Sequence, residues 1–390
     1  MDGITLTAKL DYDLGFANLV SVTGYQKING DSPDLPTAGV TFVDIFNDRQ
    51  FSQELRLVSN SSADAAGKLS WVLGAYYFNE DANRYNLNKD IRILVPENSP
   101  LLAFGFQPRQ VLASLPNIVK NFDVINTESW ALFGQATYAL TDQIRVTGGL
   151  RYTEDAKKFG GTVFGIATSA SPKANKINWK GGVEWDVAPN VMTYATVSTG
   201  YHAGGAAEGL APTSLYDPET LTAYEAGIKA RLFDGKLTLN LAGYHYDYKD
   251  FQVNAIGPAG STPPLNQLLQ LNIFNVGKVR VDGLELEGQA KITPTTRLNF
   301  SLAYTDSEIT EATNRPGATI GCLCGVVFGN PVGPRPGVVN ISDLVGGELL
   351  LAPRWAGNIA LTQTIPFNSG ASVDLRVQSR ISSSYFATYA

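Results

Sequence analysis

The sequence predicts an all-β protein in which antiparallel strands form a barrel that crosses a membrane. Three observations predict this fold class: apolar and polar residues alternate over long segments, the connections between those segments alternate between very short and long, and charge is scarce. Only 17% of the 390 residues are charged, whereas 44% are hydrophobic. Globular domains usually carry about 25% charged residues, so the chain is poor in charge without being apolar overall.

Alternation at every position places apolar side chains on one face of a strand and polar side chains on the other. In 297–305, Leu298, Phe300, Leu302 and Tyr304 alternate with Asn299, Ser301, Ala303 and Thr305. Fourteen such segments are predicted to be strands, at 3–12, 16–28, 50–60, 68–81, 127–140, 143–157, 175–187, 191–202, 219–232, 236–250, 271–291, 296–308, 355–366 and 371–386. Most are about twice as long as strands of soluble proteins, and long enough for the about 9–11 residues that a tilted crossing of a bilayer needs.

The connections alternate between short turns and long loops along the chain. The short ones lie at 13–15, 61–67, 141–142, 188–190, 234–235, 293–295 and 368–370, and the long ones at 29–49, 82–126, 158–174, 203–218, 251–270 and 309–354. Six long loops without structure are unusual in a compact soluble domain. A membrane barrel has short periplasmic turns and long extracellular loops, and the pattern predicts that arrangement.

The polar strand faces predict a wide, wet interior, because only small barrels are filled by their own side chains. Aromatic residues near the predicted strand ends are expected to form girdles at the two membrane interfaces. They are Trp71, Tyr76, Tyr77, Trp130, Tyr138, Tyr152, Trp179, Trp185, Tyr194, Tyr201 and Trp355. For any single ring an ordinary strand-forming role is an equal alternative; the whole set favours the girdles.

Composition argues against several other classes. No apolar run reaches the about 18 residues of a transmembrane helix, and no basic region followed by an apolar one marks a signal peptide at the start of the sequence. The net charge is −6 and no basic cluster exceeds a pair, so nucleic-acid binding is not expected.

No enzyme, resident metal or cofactor is expected either. The two histidines, His202 and His245, fall on different predicted strands and do not form a paired metal motif. The two cysteines, Cys322 and Cys324, are predicted to form a loop disulfide, because the cell exterior is oxidising. A soft metal site at these cysteines is the alternative.

Two carboxylates, Glu285 and Glu287, lie two residues apart on one predicted strand face. We interpret them as ionised groups that face the lumen and are balanced by Lys278 or Arg280, in preference to a catalytic pair.

Ligand binding is expected at the loops of one rim, where rigid scaffolds usually carry their binding surfaces. In 82–126 the candidates are Arg84, Tyr85 and Arg92, whose cations suit an anionic ligand and whose ring suits its apolar part. Tyr201 and His202 are candidates near the outer end of a later strand. For each of these residues a role as a solvated loop residue is the alternative.

Several strings resemble the β-barrel of TonB-dependent outer-membrane receptors. They are SQELRL at 52–57, WVLGAYYF at 71–78, FGQATY at 133–138, GLRYT at 149–153, PET at 218–220, YEAGIK at 224–229, NVG at 275–277 and GLELE at 283–287. Their order and spacing agree with the family over essentially the whole chain. The stretch 198–205 departs from the family pattern, which commonly has basic residues where this chain has Thr199 and His202, so a charge-based role is not carried over there.

The resemblance implies that residues 1–390 are part of a barrel of about 22 strands, a fragment with about fourteen of them and without the plug domain. It implies an active-transport receptor in the outer membrane of a Gram-negative bacterium, surrounded by lipid. The expected activity is capture of a scarce small-molecule ligand, most readily a siderophore-type iron complex. Import would be driven by TonB and its inner-membrane complex, acting through the plug.

Two other classes remain as alternatives. A passive porin-like channel would share the barrel but have no plug and fewer strands, about 16 or 18. A soluble β-rich adhesin or carbohydrate-binding protein would account for the long loops but would extract without detergent.

The assignment of faces can be tested in a single strand. Leu302→Arg is expected to cost about 2–4 kcal/mol near the membrane midplane, whereas Asn299→Arg on the polar face is expected to be tolerated. The measurement is the amount of folded barrel in the membrane fraction; equal effects at both positions would contradict the alternation.

Overall fold

The computed structural model describes residues 2–31, 35–37, 40–60, 67–94, 107, 111–116, 120–163, 166–206, 215–258, 269–312, 319–321, 338–340 and 344–386. In some strand segments, including 40–44, 84–94 and 111–116, it describes the backbone alone. The strands are β1 (Asp2–Asp13), β2 (Ala17–Asp31), β3 (Leu35–Thr37), β4 (Val40–Ser59), β5 (Leu69–Leu94), β6 (Val111–Pro116), β7 (Lys120–Ala139), β8 (Ile144–Val163), β9 (Ile166–Ala170), β10 (Lys173–Ala188), β11 (Val191–His202), β12 (Gly205–Ala206), β13 (Leu215–Tyr216), β14 (Glu219–Leu232), β15 (Leu237–Lys249), β16 (Gln252–Pro258), β17 (Leu269–Asn275), β18 (Gly277–Lys291), β19 (Thr296–Ala312), β20 (Thr319–Gly321), β21 (Val338–Asn340), β22 (Trp355–Pro366) and β23 (Ser372–Ser382). No helix in these ranges has the length and apolarity to span a bilayer.

Fourteen long strands build one continuous antiparallel wall, and each corresponds to one of the fourteen segments that alternation predicts. The predicted strand 271–291 is too long, because 271–275 belong to β17 in another sheet and the wall strand β18 begins at Gly277. Each pairs with the next in the order β1, β2, β4, β5, β7, β8, β10, β11, β14, β15, β18, β19, β22 and β23. Within the described residues, β1 and β23 each have a wall strand on one side only. The all-β, antiparallel prediction is therefore confirmed.

The short connections carry turn chemistry at the end that we call inner. The Gly15 N–H donates to Asp13 Oδ1 at 2.7 Å, and Gly15 has a φ of 84°, a left-handed conformation that glycine adopts without strain. The hydrogen bond and the glycine together close the β1–β2 hairpin in three residues.

At the opposite end, which we call outer, several strands are longer than the sequence predicts. β4 begins at Val40, β5 continues to Leu94, β7 begins at Lys120 and β8 continues to Val163. The segments 40–49, 82–94, 120–126 and 158–163, which were predicted to be loop, are therefore strand. Alternation of apolar residues fails there while the backbone ladder between these strands continues. Ladder hydrogen bonds do not require an apolar face, which explains why the pattern missed these ends.

All six predicted loops also contain strands of their own, with β3 in 29–49, β6 in 82–126 and β9 in 158–174. β16, β17, β20 and β21 form a separate four-stranded sheet, drawn from the connections 251–270 and 309–354. β12 and β13 pair with each other inside the connection 203–218. The prediction of structureless loops is wrong in these segments.

Register keeps two chemically different faces apart across the wall, because directly paired residues project to the same side. On one face, Leu132 pairs with Tyr152 and Leu150 with Trp179, and Leu132 and Leu150 are 56% and 63% exposed. We call this the apolar face. On the other, the polar face, Thr137 and Thr147 share a hydrogen bond of 2.8 Å between directly opposed residues.

Aromatic rings form a row on the apolar face towards its outer end. The ring centroids are 6.5 Å apart for Phe51 and Tyr77, 5.2 Å for Trp130 and Tyr152, and 4.8 Å for Tyr304 and Trp355. Trp71, Tyr138 and Trp185 lie on the same face near the inner turns.

Two aromatic residues assigned to the girdles lie on the polar face instead. Tyr76 is directly opposite Glu54, and the Arg151 guanidinium lies 5.9 Å from its ring centroid. Tyr194 donates a hydrogen bond to Glu225. Their proximity to strand ends was correct, but both are at even-numbered positions, whereas the apolar side chains of β5 and β11 are at odd-numbered positions.

Several aromatic side chains lie flat over a glycine in the neighbouring strand. The direct pairs are Phe133 over Gly74, Tyr194 over Gly227, Tyr244 over Gly283, Phe300 over Gly288 and Phe46 over Gly30. A Cβ at any of these glycines would come within 3.0 Å of the ring. The glycines therefore leave space for large rings along the wall, an arrangement known to stabilise glycine in sheets.

This packing predicts unequal effects of two Gly→Ala changes. At Gly227 the new Cβ would lie 2.6 Å from the backbone oxygen of Leu241 and 2.7 Å from the Tyr194 ring, whereas at Gly148 no atom lies within 4 Å. We expect Gly227→Ala to cost about 1–3 kcal/mol and Gly148→Ala to be close to neutral. The measurement is the temperature at which the folded barrel loses its compact mobility on a gel; equal temperatures for both variants would contradict this packing.

Candidate functional site

Three tyrosines on one strand form a column on the polar face near the outer end of the wall. Tyr244, Tyr246 and Tyr248 alternate along β15, so strand geometry places all three on one side. The rings of Tyr244 and Tyr246 stack with centroids 4.6 Å apart, and Tyr248 meets Phe251 edge-on at 5.4 Å. We call these three residues the tyrosine ladder.

The tyrosine ladder packs on a small apolar cluster. Its buried members are Val253, Val276, Val279, Val281, Ile309 and Leu344. Val276, Val279 and Ile309 are 0%, 1% and 0% exposed, which is unusual in a wall whose other large apolar side chains are mostly exposed. The cluster joins β18 and β19 to segments that follow β15 and precede β22, and it gives the ladder a rigid base at the mouth of the lumen.

Carboxylates lie on the same face: Glu225 is directly opposite Tyr244, and Glu285 and Glu287 lie further inward. Tyr194 Oη donates to Glu225 Oε1 at 2.6 Å, and Glu285 and Glu287 follow on β18. Across the described residues, no Lys or Arg nitrogen lies within 4.0 Å of these three carboxylates. The three carboxylates therefore have no ion pair within the described wall, although Lys229 lies on the same face with its Nζ 5.3 Å from the Tyr194 ring centroid.

The expectation that Lys278 or Arg280 balances Glu285 and Glu287 is wrong. Lys278 pairs with Glu311 at 2.6 Å and Arg280 with Glu308 at 2.6 Å. Residues 278 and 280 are even-numbered positions of β18, on the apolar-face side, whereas 285 and 287 are odd-numbered. Side chains of opposite parity project to opposite faces of a strand.

Charge at the inner end of the polar face is matched within the wall. The Arg145 guanidinium donates to Glu184 at 2.9 Å and to both oxygens of Asp186 at 2.6 and 3.1 Å. A two-point contact between arginine and a carboxylate is a strong, directional ion pair. The unmatched carboxylates nearer the mouth are therefore a local property of β14 and β18.

A buried amide ties the mouth together. Asn275 is 4% exposed; its Nδ2 donates to the backbone oxygens of Asp217 at 2.8 Å and Asp250 at 2.7 Å, and its Oδ1 accepts from the Asp217 N–H at 2.7 Å. Gln252 Nε2 adds bonds to the backbone oxygens of Ala203 at 3.3 Å and Asp217 at 3.2 Å. These bonds fix the bases of two outer connections against the wall.

The predicted candidates Tyr201 and His202 lie at the outer end of β11. Tyr201 is partly buried and His202 is exposed. Tyr201 pairs with Thr220, and Thr220 pairs with Lys249, which is on the side of β15 opposite the tyrosine ladder.

The remaining predicted candidates cannot be placed against a ligand surface. Arg84, Tyr85 and Arg92 lie in β5 rather than in a loop, and their side chains are outside the described part of the structure. Cys322 and Cys324 lie outside the described residues altogether. Their predicted roles in ligand binding and in a disulfide stay predictions.

Sequence reasoning missed the tyrosine ladder, although the signal was present. The segment 240–249 reads NLAGYHYDYK, and three tyrosines at every second position on the side of Asn240 predict an aromatic column facing the lumen. No group of three or more His, Cys, Asp or Glu side chains in the described ranges is placed to hold a metal ion.

Comparisons with known proteins agree with this architecture. A family model described as TonB dependent receptor-like, beta-barrel matches residues 2–389. The metal-pseudopaline receptor CntO of Pseudomonas aeruginosa is 30% identical over 133 residues, which is 34% of this chain and 17% of that protein.

Solved structures show the same fold at low sequence identity. The ferric yersiniabactin uptake receptor FyuA from Yersinia pestis aligns with a TM-score of 0.68 at 17% identity, over 97% of this chain and 49% of that one. BauA, the ferric preacinetobactin receptor from Acinetobacter baumannii, aligns with a TM-score of 0.59 at 16% identity, over 97% and 52%. The chain therefore spans about half the length of these structures.

The role of Asn275 at the mouth can be tested by truncation. Asn275→Ala would leave the Asp217 N–H and the Asp250 carbonyl without this partner, whereas the Asp217 carbonyl keeps its bond from Gln252; we expect a cost of about 1 kcal/mol. We expect faster proteolytic cleavage within 203–218 in the folded protein. Asn299→Ala, on the polar face without such bonds, is the control. Equal cleavage of both variants would contradict the proposal that Asn275 holds the connection 203–218 against the wall.

Proposed function

The chain belongs to the TonB-dependent receptor family as part of its β-barrel, and on that premise we propose that it forms the wall of a receptor that imports a siderophore-type metal complex. Barrels of this family lie in the outer membrane of Gram-negative bacteria. The observation that carries the proposal is the tyrosine ladder on its rigid base at the outer mouth of the lumen.

The tyrosine ladder suits a bulky ligand with both flat and polar parts. Each phenol offers a wide apolar ring and one hydroxyl, a combination that gives large contact area at low entropy cost. Ligand sites are usually apolar concavities with a few convergent polar groups. The names of CntO, FyuA and BauA point to metal-chelate ligands for those proteins, which supports the same class here.

The residues identified from sequence belong to the same proposal. Arg84, Tyr85 and Arg92 on β5, and Tyr201 and His202 on β11, would meet an anionic complex as it enters the mouth. Arginine pairs well with carboxylate or catecholate oxygens because its planar guanidinium group presents two parallel N–H donors.

The unmatched carboxylates Glu225, Glu285 and Glu287 suit a lumen filled by a plug domain. Basic groups on such a plug would neutralise them, and removing either partner of an ion pair away from water is costly. TonB would act by pulling on this plug, with energy from the inner-membrane complex. We propose accordingly that residues 1–390 supply barrel wall, and that the plug belongs to another part of the receptor.

Uptake by whole cells tests the proposed function. The full-length receptor is expressed in a strain without its own siderophore receptors, and uptake of labelled iron is measured for a panel of ferric siderophore complexes. We expect at least one complex to enter only when TonB and the proton gradient are present. Uptake that is independent of both would indicate a passive porin, and recovery of the protein without detergent would indicate a soluble adhesin.

The tyrosine ladder makes a prediction within the same assay. Tyr246→Ala is expected to weaken binding of the transported complex about tenfold or more, because buried tyrosines dominate many binding sites. Tyr138→Ala, an exposed aromatic residue on the apolar face, is the control for general damage to the barrel. Equal binding by both variants would show that the tyrosine ladder is not part of the binding site.

A further inference from the structure

Two basic residues face each other across neighbouring strands on the apolar face. Lys27 of β2 and Arg49 of β4 are direct partners in the ladder, and the next pair inward is Tyr25 with Phe51. Phe51 is 39% exposed and belongs to the outer aromatic row through its contact with Tyr77. The basic pair, Lys27 and Arg49, therefore lies one step beyond that row, towards the cell exterior.

Such an arrangement is unfavourable by itself. Directly opposed side chains of an antiparallel pair have Cβ atoms about 4.5–5.5 Å apart, and like charges there repel. Throughout the described residues, no carboxylate oxygen lies within 4.0 Å of either cation. The pair carries two positive charges, and neither of them forms an ion pair within the described wall.

The neighbours in the same row do not supply one. On β1, Lys27 is opposite Ile4, and on β5, Arg49 is opposite Asp81. The Asp81 carboxylate accepts a hydrogen bond from Asn126, on the side away from Arg49. One acid in this row does not offset two bases, and its hydrogen bond is directed elsewhere.

Other cations on the same face are treated differently. Lys278 and Arg280 lie at the outer end of β18, and each has a carboxylate partner at 2.6 Å, Glu311 and Glu308. This contrast holds for Lys278 and Arg280; Lys249, which is directly opposite Lys278, has no carboxylate within 4.0 Å in the described residues.

We propose that the basic pair binds the phosphate of an anionic lipid headgroup in the outer leaflet of the membrane. Aromatic rows mark the interface between hydrocarbon and headgroups in outer-membrane barrels, so the pair lies at headgroup height. Arginine and lysine are the usual ligands of phosphate, and basic pockets at membrane surfaces hold anionic headgroups.

The surface inward of the pair supports a lipid rather than a free ion. Leu6 is 56% exposed and Leu55 47% exposed on the same face, and with Tyr25 and Phe51 they form an apolar track that an acyl chain of the same lipid would cover. A free phosphate would contact only two side chains at an open surface. The proposal rests on the membrane location of the barrel and is independent of the ligand that the receptor imports.

Lipid retention by the purified full-length receptor tests the proposal. Native mass spectrometry counts bound phosphatidic acid and bound phosphatidylcholine for the wild type, for K27Q/R49Q, and for the control K278Q/R280Q, which also removes two outer cations. We expect K27Q/R49Q to weaken retention of phosphatidic acid about 30-fold, with K278Q/R280Q close to wild type. Retention of phosphatidylcholine is expected to be weak in all three.

Two outcomes would overturn the proposal. One is equal loss of phosphatidic acid from both double variants, which would mean a diffuse charge effect. The other is displacement of phosphatidic acid by millimolar inorganic phosphate, which would mean a site for the free ion. A gel-mobility assay of all three proteins establishes that each barrel is folded, and unchanged iron uptake by K27Q/R49Q separates this site from the transport function.

Discussion

The strand register is the constraint on which the rest of the structure depends. A slip of one residue between two antiparallel strands would exchange their faces, and in this wall it would put Leu302 in the lumen and Asn299 against lipid. Each of the fourteen strands keeps its apolar side chains on one side of the wall, and the register shifts are few: at Thr41/Phe42, Asp186/Ala188 and Lys278/Val279 within the wall. All three lie near strand ends, so the membrane-spanning part of the wall keeps its two faces separate.

Glycine and aromatic residues make this register compatible with an open lumen. A tyrosine that stood upright from the wall would fill part of the channel, whereas Tyr194 and Tyr244 lie flat because Gly227 and Gly283 have no side chain beneath them. Their hydroxyls then reach Glu225 and Thr305. The same device on the apolar face, with Phe300 over Gly288, keeps the surface towards lipid smooth. The 38 glycines of the chain are in this way partly explained by ring packing and not only by turns.

The sequence predicts those features that follow from periodicity and fails where other interactions decide. The fourteen strands and the short turns follow from alternation and turn chemistry. The outer strand extensions, including Arg84 and Arg92, were missed because their ladders continue without an apolar face. Tyr76 and Tyr194 were assigned to the wrong face because only their distance from the strand end was considered, and not whether they are at even or odd positions. For the same reason Glu285 was given partners that project from the opposite face of its strand. The hydrogen bonds of Asn275 join segments 25 and 58 residues apart, which no local pattern reveals.

The separation of even-numbered from odd-numbered side chains in each strand also connects the fold to the proposed transport. One side of each strand provides the surface towards lipid, with its aromatic rows and the basic pair, and the other provides the tyrosine ladder and the unmatched carboxylates. Cysteine scanning of residues 298–305, in a protein carrying Cys322→Ser and Cys324→Ser, tests this central claim most directly. In reconstituted membranes, a water-soluble thiol reagent should label positions 299, 301, 303 and 305, and a lipid-soluble one positions 298, 300, 302 and 304. Labelling without a two-residue period would contradict the account.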